Sequence, residues 1–82
     1  MTKYTAVIEG MSCSMCEAHI NDVIRAEFKV KKVKSDRKSN TAVIIAEDGA
    51  VDEEKLAAAI ARIGYTYKGL SSEPYVKRGL FG

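Results

Sequence analysis

The residues able to do chemistry are concentrated in one stretch, Gly10-Met11-Ser12-Cys13-Ser14-Met15-Cys16, which holds both cysteines of the chain. Two thiols separated by two residues, with the second in the first turn of a helix, can direct both sulfurs at one ion. First-turn N–H groups and the positive end of the helix dipole favour thiolate over thiol, and the thiolate is the form that binds metal. Such a pair suits a soft ion that needs few ligands. Thiolates favour Cu(I), whereas Zn(II) usually takes four ligands in a tetrahedron and finds only two sulfurs here. His19 follows Cys16 by three residues and falls nearly on the same side of a helix. A neutral imidazole there is a candidate third ligand that would widen the site toward Zn(II) or Cd(II); the plainer alternative is a surface histidine. A C-x-x-C pair by itself also occurs in redox motifs and half zinc sites.

The elements around this stretch must position the two sulfurs. Lys3 to Glu9 is short, partly β-branched and closed by Gly10, which predicts a strand ending in a loop, with Ala6 and Ile8 facing the helices. After the cysteines, Ile20, Val23, Ile24 and Phe28 recur at helical spacing, with Glu17, Asn21, Asp22 and Arg25 on the other side. Ser14 is a candidate N-cap with Glu17 completing a capping box, and Ser12 is its rival. Lys29 to Ser35 reads as an edge strand guarded by lysines. Asp36 to Asn40 is a polar turn, and Thr41 to Ala46 is apolar enough for a central strand. After a turn at Asp48-Gly49, Asp52 caps a second helix, Val51 and Leu56 staple its start, and Leu56, Ala59, Ile60 and Ile63 form its buried stripe. Gly64 closes it, and Tyr65 to Leu70 reads as the last strand. The order strand, helix, strand, strand, helix, strand is a split βαβ arrangement. Alternating chain direction puts the Asp36 to Asn40 hairpin and the Gly64-Tyr65 turn at the same end as the cysteines.

At 82 residues the chain is expected to form one domain over residues 1–71, followed by a tail over 72–82. Its 46% hydrophobic and 29% charged residues suit a folded globular protein. No apolar run approaches the ~20 residues that span a bilayer, and the start lacks a signal-peptide pattern, so membrane insertion is not expected and a cytoplasmic location is. A reducing compartment would keep two closely spaced cysteines free for metal. The net charge of +2 is too small to imply a nucleic-acid partner.

The Gly10-Met11-x-Cys13-x-x-Cys16 loop, together with Ile20, the Ala42 to Ala46 run and Ile63-Gly64-Tyr65, resembles the heavy-metal-associated domains of copper chaperones and copper-transporting P-type ATPases. The resemblance spans about Lys3 to Leu70. It implies an α+β, ferredoxin-like βαββαβ sandwich: a four-stranded antiparallel sheet with two helices on one face. It implies no enzyme but a Cu(I) carrier, with Cys13 and Cys16 as ligands and a metal-binding domain of a P-type ATPase or another metal transporter as partner, acting as a monomer or a metal-bridged dimer. Cys13 would meet the incoming thiolate first, Cys16 would hold the ion, and two- and three-coordinate intermediates would carry the transfer. Gly10, Met11 and Tyr65 would support the loop, Met11 by packing beneath it in preference to ligating through its thioether. Tyr65 matches the tyrosine beside the metal loop of many bacterial copper chaperones. Met15, Arg37 and Lys38 are candidates for partner docking. The chain departs from the family pattern in Phe28-Lys29-Val30, where relatives usually turn on Gly-Val, and in the tail, where Tyr75, Leu80 and Phe81 are free to pack back or bind a partner. Two further classes stay open: a Zn/Cd-binding or metal-sensing module using His19, and a thiol–disulfide oxidoreductase with Cys13 as nucleophile. The latter lacks a thioredoxin-like pattern around the motif.

Overall fold

Alternation along the first strand decides which way the sheet faces: Tyr4, Ala6 and Ile8 are buried while Lys3, Thr5 and Val7 between them are not. In the computed structural model, which describes residues 1–75, the order is β1 (Thr2–Glu9), α1 (Ser14–Glu27), β2 (Val30–Asp36), β3 (Thr41–Ala46), α2 (Glu53–Arg62) and β4 (Thr66–Pro74). The strands pair antiparallel in the order β2-β3-β1-β4. This is the expected ferredoxin-like sheet, with the apolar β3 inside and the lysine-rich β2 at an edge. Tyr4, Ala6 and Ile8 share one core with Ala42 and Ile44 of β3, Ile20 and Ile24 of α1, and Leu56 and Ile60 of α2. Both helices therefore cover the same face. Each fully buried isoleucine or leucine in that set stabilises the fold by about 1.5–3 kcal/mol.

The helix ends follow from their sequence. Asp52 accepts from the N–H groups of Glu54 and Lys55, and Val51 and Leu56 are both buried on either side of that cap. At the far end Gly64 takes φ 90°, which lets its N–H donate to Ala61 and that of Tyr65 donate to Ile60. These are the two bonds of a Schellman closure. α1 ends without glycine: Phe28 turns to extended backbone, its N–H still donating to Ile24, and its buried ring holds the chain down.

Two expectations are corrected. The last strand runs past Leu70 to Pro74, because β1 begins at Thr2 and offers Thr5, Tyr4, Lys3 and Thr2 as partners to Ser71, Ser72, Glu73 and Pro74. Proline is tolerated there at the end of an edge strand. Tyr75 continues the contact through its N–H to the Met1 carbonyl at 3.0 Å, whereas Leu80 and Phe81 lie outside the described residues. Secondly, Asn21 and Glu17 are not on a free helix face. Asn21 accepts from the buried Ser35 hydroxyl at 2.7 Å, and the Glu17 carboxylate accepts from the Arg37 backbone N–H at 2.7 Å. α1 is thus tied to β2 and to the hairpin that follows it.

Candidate metal centre

Three connections converge at one end of the sheet. The N–H of Ile8 at the end of β1 donates to the carbonyl of Asn40 in the β2–β3 hairpin at 2.8 Å, and Asn40 takes the left-handed φ of 57° that the hairpin requires. Gly10, with φ 106°, lies against Tyr65, so close that an added Cβ would stand 3.2 Å from the Tyr65 ring. Glycine here serves both the backbone conformation and the close approach. Met11 turns inward at 7% exposure and joins the core, leaving its sulfur no part in an exposed site.

Cys13, not Ser14 or Ser12, is the N-cap residue of α1, and no side chain caps the helix. The Cys13 carbonyl accepts from the N–H groups of Cys16 at 3.1 Å and Glu17 at 3.4 Å. Glu17 cannot close the capping box because its carboxylate is engaged with the hairpin. The start of the helix is left with Cys13 exposed and Cys16 half-buried against the core, their sulfurs 3.5 Å apart. Two thiolates at zinc–sulfur bond lengths in a tetrahedron stand about 3.8 Å apart. A small opening of the pair therefore suffices to hold an ion.

The surroundings make one of the two sulfurs acidic. The Tyr65 hydroxyl and the Ser12 and Cys13 backbone face the Cys16 sulfur, and the Cys13 sulfur lies 3.5 Å from it. Together they bring Cys16 from 9.0 down to about 6, against a smaller opposing effect of burial. The reciprocal effect pushes Tyr65 up to about 12, chiefly because its hydroxyl faces the Cys16 sulfur. At neutral pH the centre thus holds a thiolate beside a protonated phenol. The Ser12 hydroxyl stands 3.9 Å from the Cys16 sulfur.

Among the other candidates, Met15 is 67% exposed beside the cysteines, and Lys38 is exposed on the hairpin. Arg37 is not a free cation: its guanidinium meets Glu17 at 3.3 Å. His19 is exposed on α1, and the described residues contain no group of three or more His, Cys, Asp or Glu side chains able to hold a metal. The structure therefore does not bring His19 together with the two sulfurs. Sequence reasoning missed Glu17, whose role depends on a hairpin twenty residues away and leaves no local signal.

Fold and site together define a small α+β domain that offers a thiolate pair at one end of its sheet. Residues 6–66 match the heavy-metal-associated domain, and the chain belongs to that family. It is 34% identical over 58 residues to the copper chaperone CopZ of Enterococcus hirae, covering 71% of this chain and 84% of CopZ. Among solved structures, a copper binding domain from HMA7, a P-type ATPase, superposes with a TM-score of 0.74 at 23% identity, covering 89% of this chain and 99% of that one. The N-terminal domain of ZntA in its Zn(II) form gives 0.70 at 21% identity, covering 93% and 97%. These two likenesses bear on the fold. No helix among the described residues is long and apolar enough to cross a membrane.

Proposed function

We propose that the chain carries one Cu(I) ion between Cys13 and Cys16 and passes it to a metal-binding domain of a P-type ATPase or another metal transporter by thiolate exchange. The observation that carries this reading is the pair of sulfurs 3.5 Å apart at an accessible end, with Cys16 already largely thiolate at neutral pH. Two soft donors nearly satisfy Cu(I) and leave half the shell of Zn(II) empty. Cys13, exposed at the cap, meets the acceptor's first thiolate. Cys16, set in the helix, retains the ion until a second acceptor thiolate displaces it. Met15 and Lys38 flank the exchange and offer the acceptor an apolar contact and a cation, while Arg37 contributes through a guanidinium shared with Glu17. Transfer through shared thiolates avoids a free ion, makes no covalent product and assigns the chain no enzymatic role. A reducing cytoplasm, which keeps both thiols free, is the compartment this chemistry requires.

A Zn(II) or Cd(II) cargo is the second reading, motivated by His19, exposed on α1 three residues after Cys16. It would need His19 or an outside donor to complete the shell. Competition against a Cu(I) chelator under reducing, anaerobic conditions tests the first reading. Cys13→Ser and Cys16→Ser should each abolish high-affinity binding while leaving the circular dichroism spectrum intact, and unchanged affinity in both variants would refute it. His19→Ala should leave Cu(I) binding in place. A loss confined to Zn(II) would establish the second reading.

A further inference from the structure

The helices leave one face of the sheet uncovered, and that face is not uniformly polar. Alternation and register set Lys32, Ile45 and Lys3 in one row across β2, β3 and β1, with Lys34, Val43 and Thr5 in the next. Ile45 is only 5% exposed although it stands apart from the core shared with the helices. With Val43 and the half-buried Tyr75 it bounds a recess of about 520 Å3 along the β2 side of the face. It is an open recess of the surface, wide enough to receive a side chain of a partner. Every charged side chain lining it is a cation: Lys3, Lys32, Lys34 and, reaching from α1, Arg25. Lys3 meets Glu73 at 3.9 Å and Arg25 meets Asp22 at 3.8 Å, but Lys32 and Lys34 have no carboxylate within ion-pair distance among the described residues. Lysines on an edge strand discourage foreign pairing. That accounts for cations along β2, but not for an apolar floor between them.

We propose that this recess docks an acidic segment of a partner protein, an extended stretch with an aromatic or aliphatic side chain flanked by Asp and Glu. The apolar side chain would rest on the half-buried Val43 and Tyr75, above the already covered Ile45, and the flanking carboxylates would meet Lys32 and Lys34. Charge decides among the possible occupants. Residues 76–82 contribute Lys77 and Arg78 and no acidic side chain, so their side-chain charge adds to that of the rim instead of neutralising it. A bilayer surface supplies anions but is too flat to fill a recess. Steering by such a rim acts over about 8 Å at physiological salt, so binding weakens as salt rises. The cysteines take no part in the lining, and docking here is separable from metal binding at the end of the sheet.

The test uses the 82-residue chain and a fluorescent synthetic peptide, Glu-Asp-Phe-Asp-Glu, read by anisotropy beside a Lys-Lys-Phe-Lys-Lys control. The acidic peptide should bind, the basic one should not, and added salt should weaken the complex. The double charge reversal Lys32→Glu with Lys34→Glu should lower affinity by about tenfold or more, the scale expected when rim attraction becomes repulsion. Tyr75→Ala should lower it several-fold, while Cys13→Ser with Cys16→Ser should leave it unchanged. Retained Cu(I) binding and circular dichroism in the lysine and tyrosine variants exclude misfolding as the cause. Absence of peptide binding, equal binding of the basic peptide or indifference to the charge reversal would each overturn the proposal. So would a gain in affinity on deleting residues 76–82, which would make that segment the occupant, or sedimentation with phosphatidylserine vesicles in place of peptide binding.

Discussion

The acidity of Cys16 depends first on the Tyr65 hydroxyl that faces it. A donor aimed at sulfur stabilises the thiolate, so Tyr65→Phe should raise the Cys16 pKa above its present value of about 6. The pH dependence of alkylation, read residue by residue by mass spectrometry, measures this directly; an unmoved midpoint would mean that the backbone hydrogen bonds alone set the acidity. Metal competes with the thiol proton of Cys16, so affinity in the wild-type chain should fall as pH drops through about 6, and in the phenylalanine variant at a higher pH. The same shift bears on the metal-free fold. A thiol whose folded pKa lies below its unfolded value contributes stability that is fully present above the unfolded value of 9.0 and is lost as pH falls through about 6. Cys16→Ser should remove that slope from the stability–pH curve. Gly10→Ala combines a strained φ with a crowded Tyr65 ring and should cost about 1–3 kcal/mol in denaturant unfolding. The closeness of Cys13 and Cys16 was legible from spacing, and the inward packing of Met11 and the place of Tyr65 beside the loop from family resemblance. The influence of Tyr65 on the Cys16 sulfur was not, because it joins the turn after α2 to the start of α1, far apart in the chain. His19 shows the converse: helical spacing put it near Cys16, yet the side chain stands exposed outside any three-donor group.

Among the elements, legibility followed the strength of local signals. β3 was read to the residue because Thr41 to Ala46 is apolar and bounded by polar turns, and α2 because cap, staple and closing glycine agree. The start of α1 was less clear, since Ser12, Cys13 and Ser14 stand in a row and Glu17 is recruited by Arg37. β4 beyond Leu70 was invisible, since Ser71-Ser72-Glu73-Pro74 has no apolar alternation and is a strand only through its pairing with β1. Ending the chain after Leu70 should therefore lower the melting temperature more than ending it after Tyr75, as thermal unfolding would reveal. Equal melting temperatures would reduce the β1–β4 extension to a marginal contact. On α2, Asp52→Ala should cost about 1 kcal/mol through two lost cap bonds. Leu56→Ala should cost about 2–5 kcal/mol through an interior cavity, so chemical denaturation should rank it well above the cap.

For the molecule as a whole, one core built from Ile8, Ile20, Ile24, Ile44, Leu56 and Ile60 lies beneath the metal end and contains no sulfur ligand except the half-buried flank of Cys16. The metal-free chain should therefore be folded, with bound ion adding stability only through mass action. A random-coil circular dichroism spectrum after chelation would instead make the ion a scaffold. A carrier folded before loading is free to give up its ion, and the claim that it does so by direct exchange is tested most directly by transfer kinetics. Chain loaded with one Cu(I) is mixed, in the presence of a strong Cu(I) chelator, with rising amounts of an isolated metal-binding domain of a copper-transporting P-type ATPase. The account predicts that Cu(I) reaches the domain at a rate that rises with its concentration and exceeds loss to the chelator when no domain is present. A rate that stays constant and equals that loss would show release of a free ion and contradict transfer through Cys13 and Cys16.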